Sequence, residues 1–81
     1  MNQSRQDIMT LMVNELRDMD VRLPAEMREN LAFRTDLSMD SLAVAEFVAR
    51  MEQLFRVQIA DDAWRTLDCV GRVADYLERL T

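Results

Sequence analysis

Apolar side chains recur at helical spacing in three stretches of this 81-residue chain. Because residues three and four apart share one face of a helix, the stretches predict helices at residues 5–19, at residues 41–55 and after residue 68. Ser4 with Asp7 resembles a capping box before the first helix, and Asp68 is the expected cap of the last. The predicted buried stripes are Ile8, Leu11, Met12, Leu16 and Met19, then Val44, Phe47, Val48, Met51 and Phe55, then Val70, Val73, Leu77 and Leu80.

No period holds from residue 21 to residue 39, which predicts a long connection. Pro24 is tolerated at a first helical position, and with Ala25 and Glu26 it predicts a single helical turn. A short helix is predicted at residues 61–65, since acids favour a helix start. Scattered apolar residues should hold the connection in place: Val21, Leu23, Met27, Leu31, Phe33 and Leu37. The expected fold is all-α, a four-helix bundle in one domain, 1–81, with three longer helices, one short helix and a long first loop.

Leu42 is the apolar residue of the second helix that does not fit its buried stripe. With Val44 as reference and about 100° per residue, Leu42 lies roughly 160° away, beside Glu46. Asp40 and Ser41 precede it, so a hydroxyl at a helix start lies between an acid and an outward apolar side chain. An ordinary helix start also explains this pair, because either side chain can accept a backbone N–H. The exposed leucine favours a docking site for an enzyme that acts on the hydroxyl.

Charge and composition argue against several classes of function. The formal net charge is −5 and all ten basic residues are arginine, which disfavours nucleic acid as a partner. The chain has no histidine and no lysine, so Ser41 lacks the usual general bases, and we expect no enzymatic activity. Cysteine–histidine clusters and the spacing of a calcium loop are also missing, which argues against a metal site.

The cysteine count bears on the cellular compartment. Cys69 is the single cysteine and cannot form an internal disulfide, which favours a reducing environment and a packing role. No stretch approaches the length of a membrane span, and the polar residues 1–9 do not resemble an export signal. The chain starts with Met1 and has the length of one small domain. We therefore expect a whole, cytoplasmic, monomeric protein that does not insert into a membrane.

Residues 33–42, Phe-Arg-Thr-Asp-Leu-Ser-Met-Asp-Ser-Leu, resemble the attachment-site signature of acyl carrier proteins. In that family the signature is approximately F-x-x-D-L-G-hydrophobic-D-S-L. Further matches follow without a gap: Glu46, Glu52 and Phe55 in the second helix, Ile59-Ala60-Asp61-Asp62 against the family's I-P-D-E, and Val70 with Asp75-Tyr76 against the V…D-Y of its last helix. The resemblance covers almost the whole chain and implies the same four-helix fold.

The resemblance also implies a cofactor and partners. Ser41 would accept a 4′-phosphopantetheine arm from coenzyme A, transferred by a separate phosphopantetheinyl transferase with Mg²⁺. The thiol of the arm would then carry acyl groups as thioesters for acyl-loading and acyl-processing enzymes. The residues expected to dock these partners surround the serine: Asp40, Leu42, Glu46, Met39, Ala45 and Arg50.

Some residues depart from the family pattern. Ser38 replaces the usual glycine of the signature and is expected to stiffen the approach to Ser41. Ala43, Arg50 and Arg56 occupy positions where carriers of general fatty-acid synthesis tend to have acidic or neutral residues. Because charge at a docking rim changes partner choice more than fold, a specialised pathway is predicted. Two alternatives stay open: an acidic helical adaptor in which the serine only caps a helix, and a carrier of aminoacyl or peptidyl cargo.

Overall fold

The computed structural model describes residues 4–81, and residues 1–3 of the predicted domain 1–81 lie outside the described part. Its helices are α1 (Arg5–Asp18), α2 (Ser41–Phe55), α3 (Asp61–Trp64) and α4 (Val70–Leu80). Residues 4–81 contain no β-strand, and an isolated antiparallel bridge joins Ala32 to Cys69. The predicted all-α fold with four helices and a long first connection is confirmed.

Side-chain caps explain where the two longest helices begin. The Ser4 hydroxyl accepts the backbone N–H of Asp7 at 3.1 Å, as predicted. The Asp40 carboxylate accepts the N–H of Ala43 at 2.8 Å at the start of α2. Each cap satisfies one of the backbone donors that a helix leaves free in its first turn.

Two local predictions were wrong. Cys69, not Asp68, is the N-cap of α4, and its side chain makes no capping bond. The carboxylate of Asp68 instead lies 3.4 Å from the guanidinium of Arg72, one turn into the helix. Residues 24–26 form no helical turn and are exposed. An isolated turn fixes several dihedral angles for one hydrogen bond, so it does not form without packing to support it.

The core of the described residues is apolar, with no buried polar or charged residue. The ring of Phe33, from the long connection, packs against that of Phe47 with centroids 5.3 Å apart. Leu80 departs from the predicted stripe of α4, because at the last turn it is 44% exposed. The predicted stripe of α2 is confirmed, with Phe55 partly buried at its end and four fully packed members: Val44, Phe47, Val48 and Met51.

The long connection is held against α4 by its backbone. The N–H of Phe33 donates to the carbonyl of Asp68 at 3.1 Å, and the N–H of Gly71 donates to the carbonyl of Glu29 at 2.7 Å. A β-carbon at Gly71 would lie 2.9 Å from that oxygen, so this approach requires glycine. The predicted apolar anchors all pack on the core, either buried (Leu31, Phe33, Leu37) or partly buried (Val21, Leu23, Met27). The connection therefore holds residues 33–40 in a fixed position before α2.

Candidate functional site

Ser41 is the first residue of α2 and is exposed. Because the Asp40 carboxylate takes the N–H of Ala43, the Ser41 hydroxyl has no capping role. Its Oγ accepts a hydrogen bond from Nη1 of Arg34 at 2.8 Å instead. The structure thus settles which side chain caps α2, and it leaves the serine hydroxyl accessible on a rigid helix end.

The segment before α2 folds into a closed turn. The carboxylate of Asp36 accepts the N–H of Ala32 at 2.8 Å, and the N–H of Leu37 donates to the carbonyl of Ala32 at 3.1 Å. The N–H of Met39 donates to the carbonyl of Phe33 at 2.9 Å, which joins the two ends of the turn. The side chains of Phe33, Leu37 and Met39 are buried. These contacts keep the residue that donates to Ser41 in a fixed relation to the start of α2.

Ser38 lies in this turn with a φ of 54°, in the left-handed region. That conformation costs residues with a β-carbon about 1–2 kcal/mol, and glycine adopts it freely. Ser38 is exposed and occupies the position at which the attachment signature has glycine. The backbone therefore keeps the conformation that suits glycine, although the side chain has changed.

A cavity of about 250 Å³ opens beside Ser41. Its apolar wall combines α2, α3 and both flanking connections: Phe33, Val44, Trp64 and Leu67. Its polar lining consists of Arg34, Ser41, Arg65 and Asp68. The lining next to the hydroxyl therefore combines four apolar side chains with two arginines and one aspartate.

The predicted docking residues lie in different environments. Leu42 is 79% exposed, which confirms its outward orientation. Glu46, one helical turn further along, is also exposed, and Ala45 is partly buried. Met39 is only 4% exposed, because the turn before α2 directs its side chain into the core. The prediction of Met39 as a docking residue does not fit this position.

Arg50 joins α2 to α1. Its guanidinium lies 3.2 Å from the carboxylate of Glu15 and 3.1 Å from that of Glu46. The hydrogen bond to Glu15, and then the charge of Glu46, raise the pKa of Arg50 above its usual range. The positive charge of Arg50, predicted for the docking surface, is thus shared between two carboxylates. It offsets part of the negative charge that Glu46 would otherwise add to this face.

Away from Ser41, the described residues offer few groups for metal binding, membrane insertion or thiol chemistry. Within residues 4–81, no group of three or more His, Cys, Asp or Glu side chains is placed to hold a metal ion. Over the same range, none of the helices has both the length and the apolar character needed to cross a membrane. Cys69 is a free thiol, half-buried at the start of α4.

Known proteins with similar sequences place the chain in a family. The family model described as "Phosphopantetheine attachment site" matches residues 21–77. The acyl carrier protein of Acidothermus cellulolyticus is 30% identical over 96% of this chain and 93% of its own length. The chain belongs to the acyl carrier protein family.

Other acyl carrier proteins support this membership. That of Wolinella succinogenes is 38% identical over 68% of this chain and 72% of its own length. The mitochondrial acyl carrier protein 3 of Arabidopsis thaliana is 33% identical over 86% of this chain and 53% of its own length. A solved structure of the acyl carrier protein from Enterococcus faecalis superposes with a TM-score of 0.83, at 24% identity, over 98% of this chain and all of that one. That likeness supports the fold.

Members of this family carry 4′-phosphopantetheine covalently. The start of α2 fits such a group, which is joined to a hydroxyl through a phosphate. The Ser41 hydroxyl is exposed and is not needed as a cap. It lies at the positive end of a 15-residue helix, where negative charge is favoured. The guanidinium of Arg34 lies next to it.

Arg34 is the site residue that sequence patterns did not indicate. It occupies a variable position of the signature, seven residues before Ser41, in a segment whose sequence follows no helical or strand pattern. Only the closed turn between them brings the guanidinium to the hydroxyl. Arg65 likewise reaches the cavity through the packing of α3, which its position in the sequence does not show.

Proposed function

We propose that this chain carries acyl groups as thioesters on a 4′-phosphopantetheine arm attached to the hydroxyl of Ser41. The observation that carries the proposal is the exposed Ser41 side chain, with the capping role taken by Asp40. A serine that capped its own helix would lose that bond on modification, at a cost of about 0.5–2 kcal/mol. Modification of Ser41 carries no such cost.

Attachment is a substitution at phosphorus. The bond from Ser41 Oγ to phosphorus forms, and the phosphoanhydride bond of coenzyme A breaks and releases adenosine 3′,5′-bisphosphate. The hydroxyl proton passes to a base on the transferase. In this proposal the chain supplies the position of the hydroxyl and the transferase supplies the base; the sequence contains no histidine or lysine that could serve. Once attached, the arm supplies a thiol that forms thioesters with acyl groups.

Leu42 and Glu46 form the centre of the docking surface that we propose, with Asp40 and Ala45 beside them. Among the exposed large apolar side chains of the described residues, Leu42 is the most exposed, at 79% against 41% for Leu54 and 44% for Leu80, and its position beside Ser41 favours contact with a partner. Arg50 belongs to this surface as the ion-pair partner of Glu46.

A specialised pathway is the finer part of this proposal. Its support is the small amount of free negative charge along α2. Glu46 is paired with Arg50 at 3.1 Å, and the Glu52 carboxylate accepts the backbone N–H of Ile59 at 2.8 Å. Arg56 is exposed at the end of the helix. Such a face suits partners whose docking patches are less basic than those implied for general fatty-acid synthesis.

The monomeric state, the single domain and the cytoplasmic location stay predictions. One relative is named as mitochondrial, so membership of the family does not decide the compartment.

Mass spectrometry of the intact protein tests the attachment site. Incubation with coenzyme A, Mg²⁺ and a broad-specificity phosphopantetheinyl transferase should add one phosphopantetheinyl group to the wild type and none to Ser41→Ala. The free energy of unfolding of this variant should change by less than about 0.5 kcal/mol, because Ser41 does not cap α2.

Ser38→Gly is the matched control, because it removes a neighbouring exposed hydroxyl and suits the left-handed φ. It should be modified like the wild type. Full labelling of Ser41→Ala would move the attachment site elsewhere. A folded wild type that takes no label, beside a carrier that is labelled in parallel, would favour the adaptor.

A further inference from the structure

Arg34 makes an unusual pairing with Ser41. Its Nη1 donates to the serine Oγ at 2.8 Å, so a charged donor is bound to a neutral hydroxyl on the exposed surface. The backbone that carries Arg34 is held on both sides, by the buried ring of Phe33 and by the turn that Asp36 closes. The guanidinium is therefore directed towards this hydroxyl by the fold.

The acids around Arg34 have other partners. The Asp36 carboxylate accepts the N–H of Ala32, and the Asp40 carboxylate accepts the N–H of Ala43, both at 2.8 Å. Asp68, which lines the same cavity, pairs with an arginine of α4. In the part of the chain that the structure describes, no carboxylate forms an ion pair with Arg34. A cation without an anionic partner is thus placed at the atom to which the arm is attached.

We propose that Arg34 binds the phosphodiester group formed when the arm is attached to Ser41, and so acts as a positioning residue for the arm. The proposal rests on the proposed function, because it requires attachment at this serine. A phosphodiester carries one negative charge at neutral pH, on oxygens bonded to the phosphorus that is itself bonded to Oγ. A guanidinium already bound to Oγ can donate to these oxygens, and its planar set of N–H groups suits phosphate.

The pairing gives the arm a defined starting direction. Arg34 lies on the side of Ser41 that faces the cavity, which both residues line. Leu42 is 79% exposed and does not line this cavity. Arg34 therefore holds the phosphate towards the cavity and leaves the docking surface of α2 free for partners.

A thermodynamic cycle between unloaded and loaded protein tests the proposal. Thermal unfolding is measured for the wild type, Arg34→Gln and Arg65→Gln, each before and after loading with the unacylated arm. Arg65→Gln is the matched control, because Arg65 lines the same cavity and the change of charge is identical. Arg34→Gln should lower the Tm of the loaded protein by about 4 °C more than that of the unloaded protein. Arg65→Gln should lower both by the same amount, and 1 M NaCl should reduce the excess.

Phosphorus NMR of the loaded proteins gives a second readout. The ³¹P resonance should shift in Arg34→Gln, return towards the wild-type position in Arg34→Lys, and stay unchanged in Arg65→Gln. In the wild type alone, the Nε–Hε signal of Arg34 should shift on loading, whereas that of Arg65 should not. This last comparison uses only the wild type, so it can be made even if a substitution impairs folding or loading.

Equal Tm changes in unloaded and loaded Arg34→Gln, or an Arg34 side-chain signal that does not move on loading, would overturn the proposal. Either result leaves the proposed function intact, because the loaded wild type has then been made. If the proposed function is wrong, the observation is different: no arm is attached to Ser41 at all.

Discussion

At the scale of single residues, the site depends on which side chain caps α2. A helix start leaves four backbone N–H groups free, and both Asp40 and Ser41 are good acceptors for them. The carboxylate of Asp40 takes the N–H of Ala43, and the serine hydroxyl is left for Arg34. With this division of roles, the proposed modification of Ser41 would not weaken the helix that positions it.

Leu42→Ala should slow the modification of Ser41 and leave folding nearly unchanged. Because Leu42 is 79% exposed, its truncation should change the free energy of unfolding by less than about 0.5 kcal/mol, against about 2–5 kcal/mol for a buried leucine. Leu54→Ala is the matched control, since Leu54 is the other exposed leucine of α2, at 41%. Transferase kinetics and urea unfolding measure the two effects. Equal slowing in both variants, or a large loss of stability in Leu42→Ala, would contradict the docking role.

At the scale of elements, α2 carries the site and is joined to its neighbours at several points. Arg50 pairs with Glu15 of α1, and the Glu52 carboxylate binds the N–H of Ile59 in the segment that leads to α3. Arg56 follows the helix with a φ of 56°, the left-handed conformation that commonly ends helices. Reversing the charge of Arg50 would break the link between α1 and α2, so the charge of the docking face is better tested at Arg56.

Arg56→Glu should improve the carrier as a substrate for enzymes that dock through basic patches, as those of general fatty-acid synthesis are implied to do. The acylation rate by such an acyltransferase should rise about 2- to 10-fold at low salt, because steering by exposed charge acts on association. The gain should fall as salt increases, since exposed charges are screened over about 8–10 Å at ordinary ionic strength.

Two further variants separate position from charge. Arg56→Gln removes the positive charge alone and should give a smaller gain. Arg79→Glu makes the same reversal on α4 and should give none if the effect belongs to the face of α2. Rates for Arg56→Glu that match the wild type at low salt would remove the charge argument for a specialised pathway.

At the scale of the whole molecule, Arg5 joins α1, the long connection and α4. Its guanidinium donates to Glu29 at 2.7 and 2.9 Å, to Asp75 at 2.6 Å, and to Glu78. The hydrogen bonds to these carboxylates, that to Glu29 above all, raise the pKa of Arg5 above its usual range. The hydrogen bond from Arg5 in turn lowers the pKa of Glu29 below its ordinary value of 4.5.

This cluster predicts how stability depends on pH. A carboxyl group whose pKa is lowered by folding stabilises the protein above its unfolded pKa, and that contribution is lost as the pH falls through the lowered value. Glu29→Gln should therefore be less stable than the wild type at pH 7. The difference should shrink as the pH falls below about 4.5, where the carboxyl group is protonated first in the unfolded chain, and it should be lost once the pH passes the lowered pKa of Glu29 in the folded protein.

Urea unfolding of the wild type and Glu29→Gln between about pH 3 and about pH 7 measures this convergence. Glu26→Gln is the control, because Glu26 is an exposed acid in the same connection. Its free energy of unfolding should stay close to that of the wild type. A constant difference between Glu29→Gln and the wild type would mean that the ion pair with Arg5 does not contribute to stability.

The sequence by itself determined the helices, the inner face of α2 and the outward position of Leu42. These features depend on residues one turn apart, so a periodic pattern and a capping residue suffice to predict them. The motif around Ser41 could also be identified without a structure, since it is a contiguous run of ten residues. Local preference alone wrongly predicted a helical turn at residues 24–26, because a single turn does not form without packing to support it.

Only the tertiary structure decided which groups meet across the long connection. It buried Met39, brought Arg34 to the hydroxyl of Ser41, and placed the carbonyl of Glu29 against Gly71. Residues far apart in sequence meet only where the core holds the chain, because ordering a long loop costs conformational entropy that local preferences do not offset. The serine can therefore be found by its motif, whereas its cationic partner depends on how the connection packs against α4.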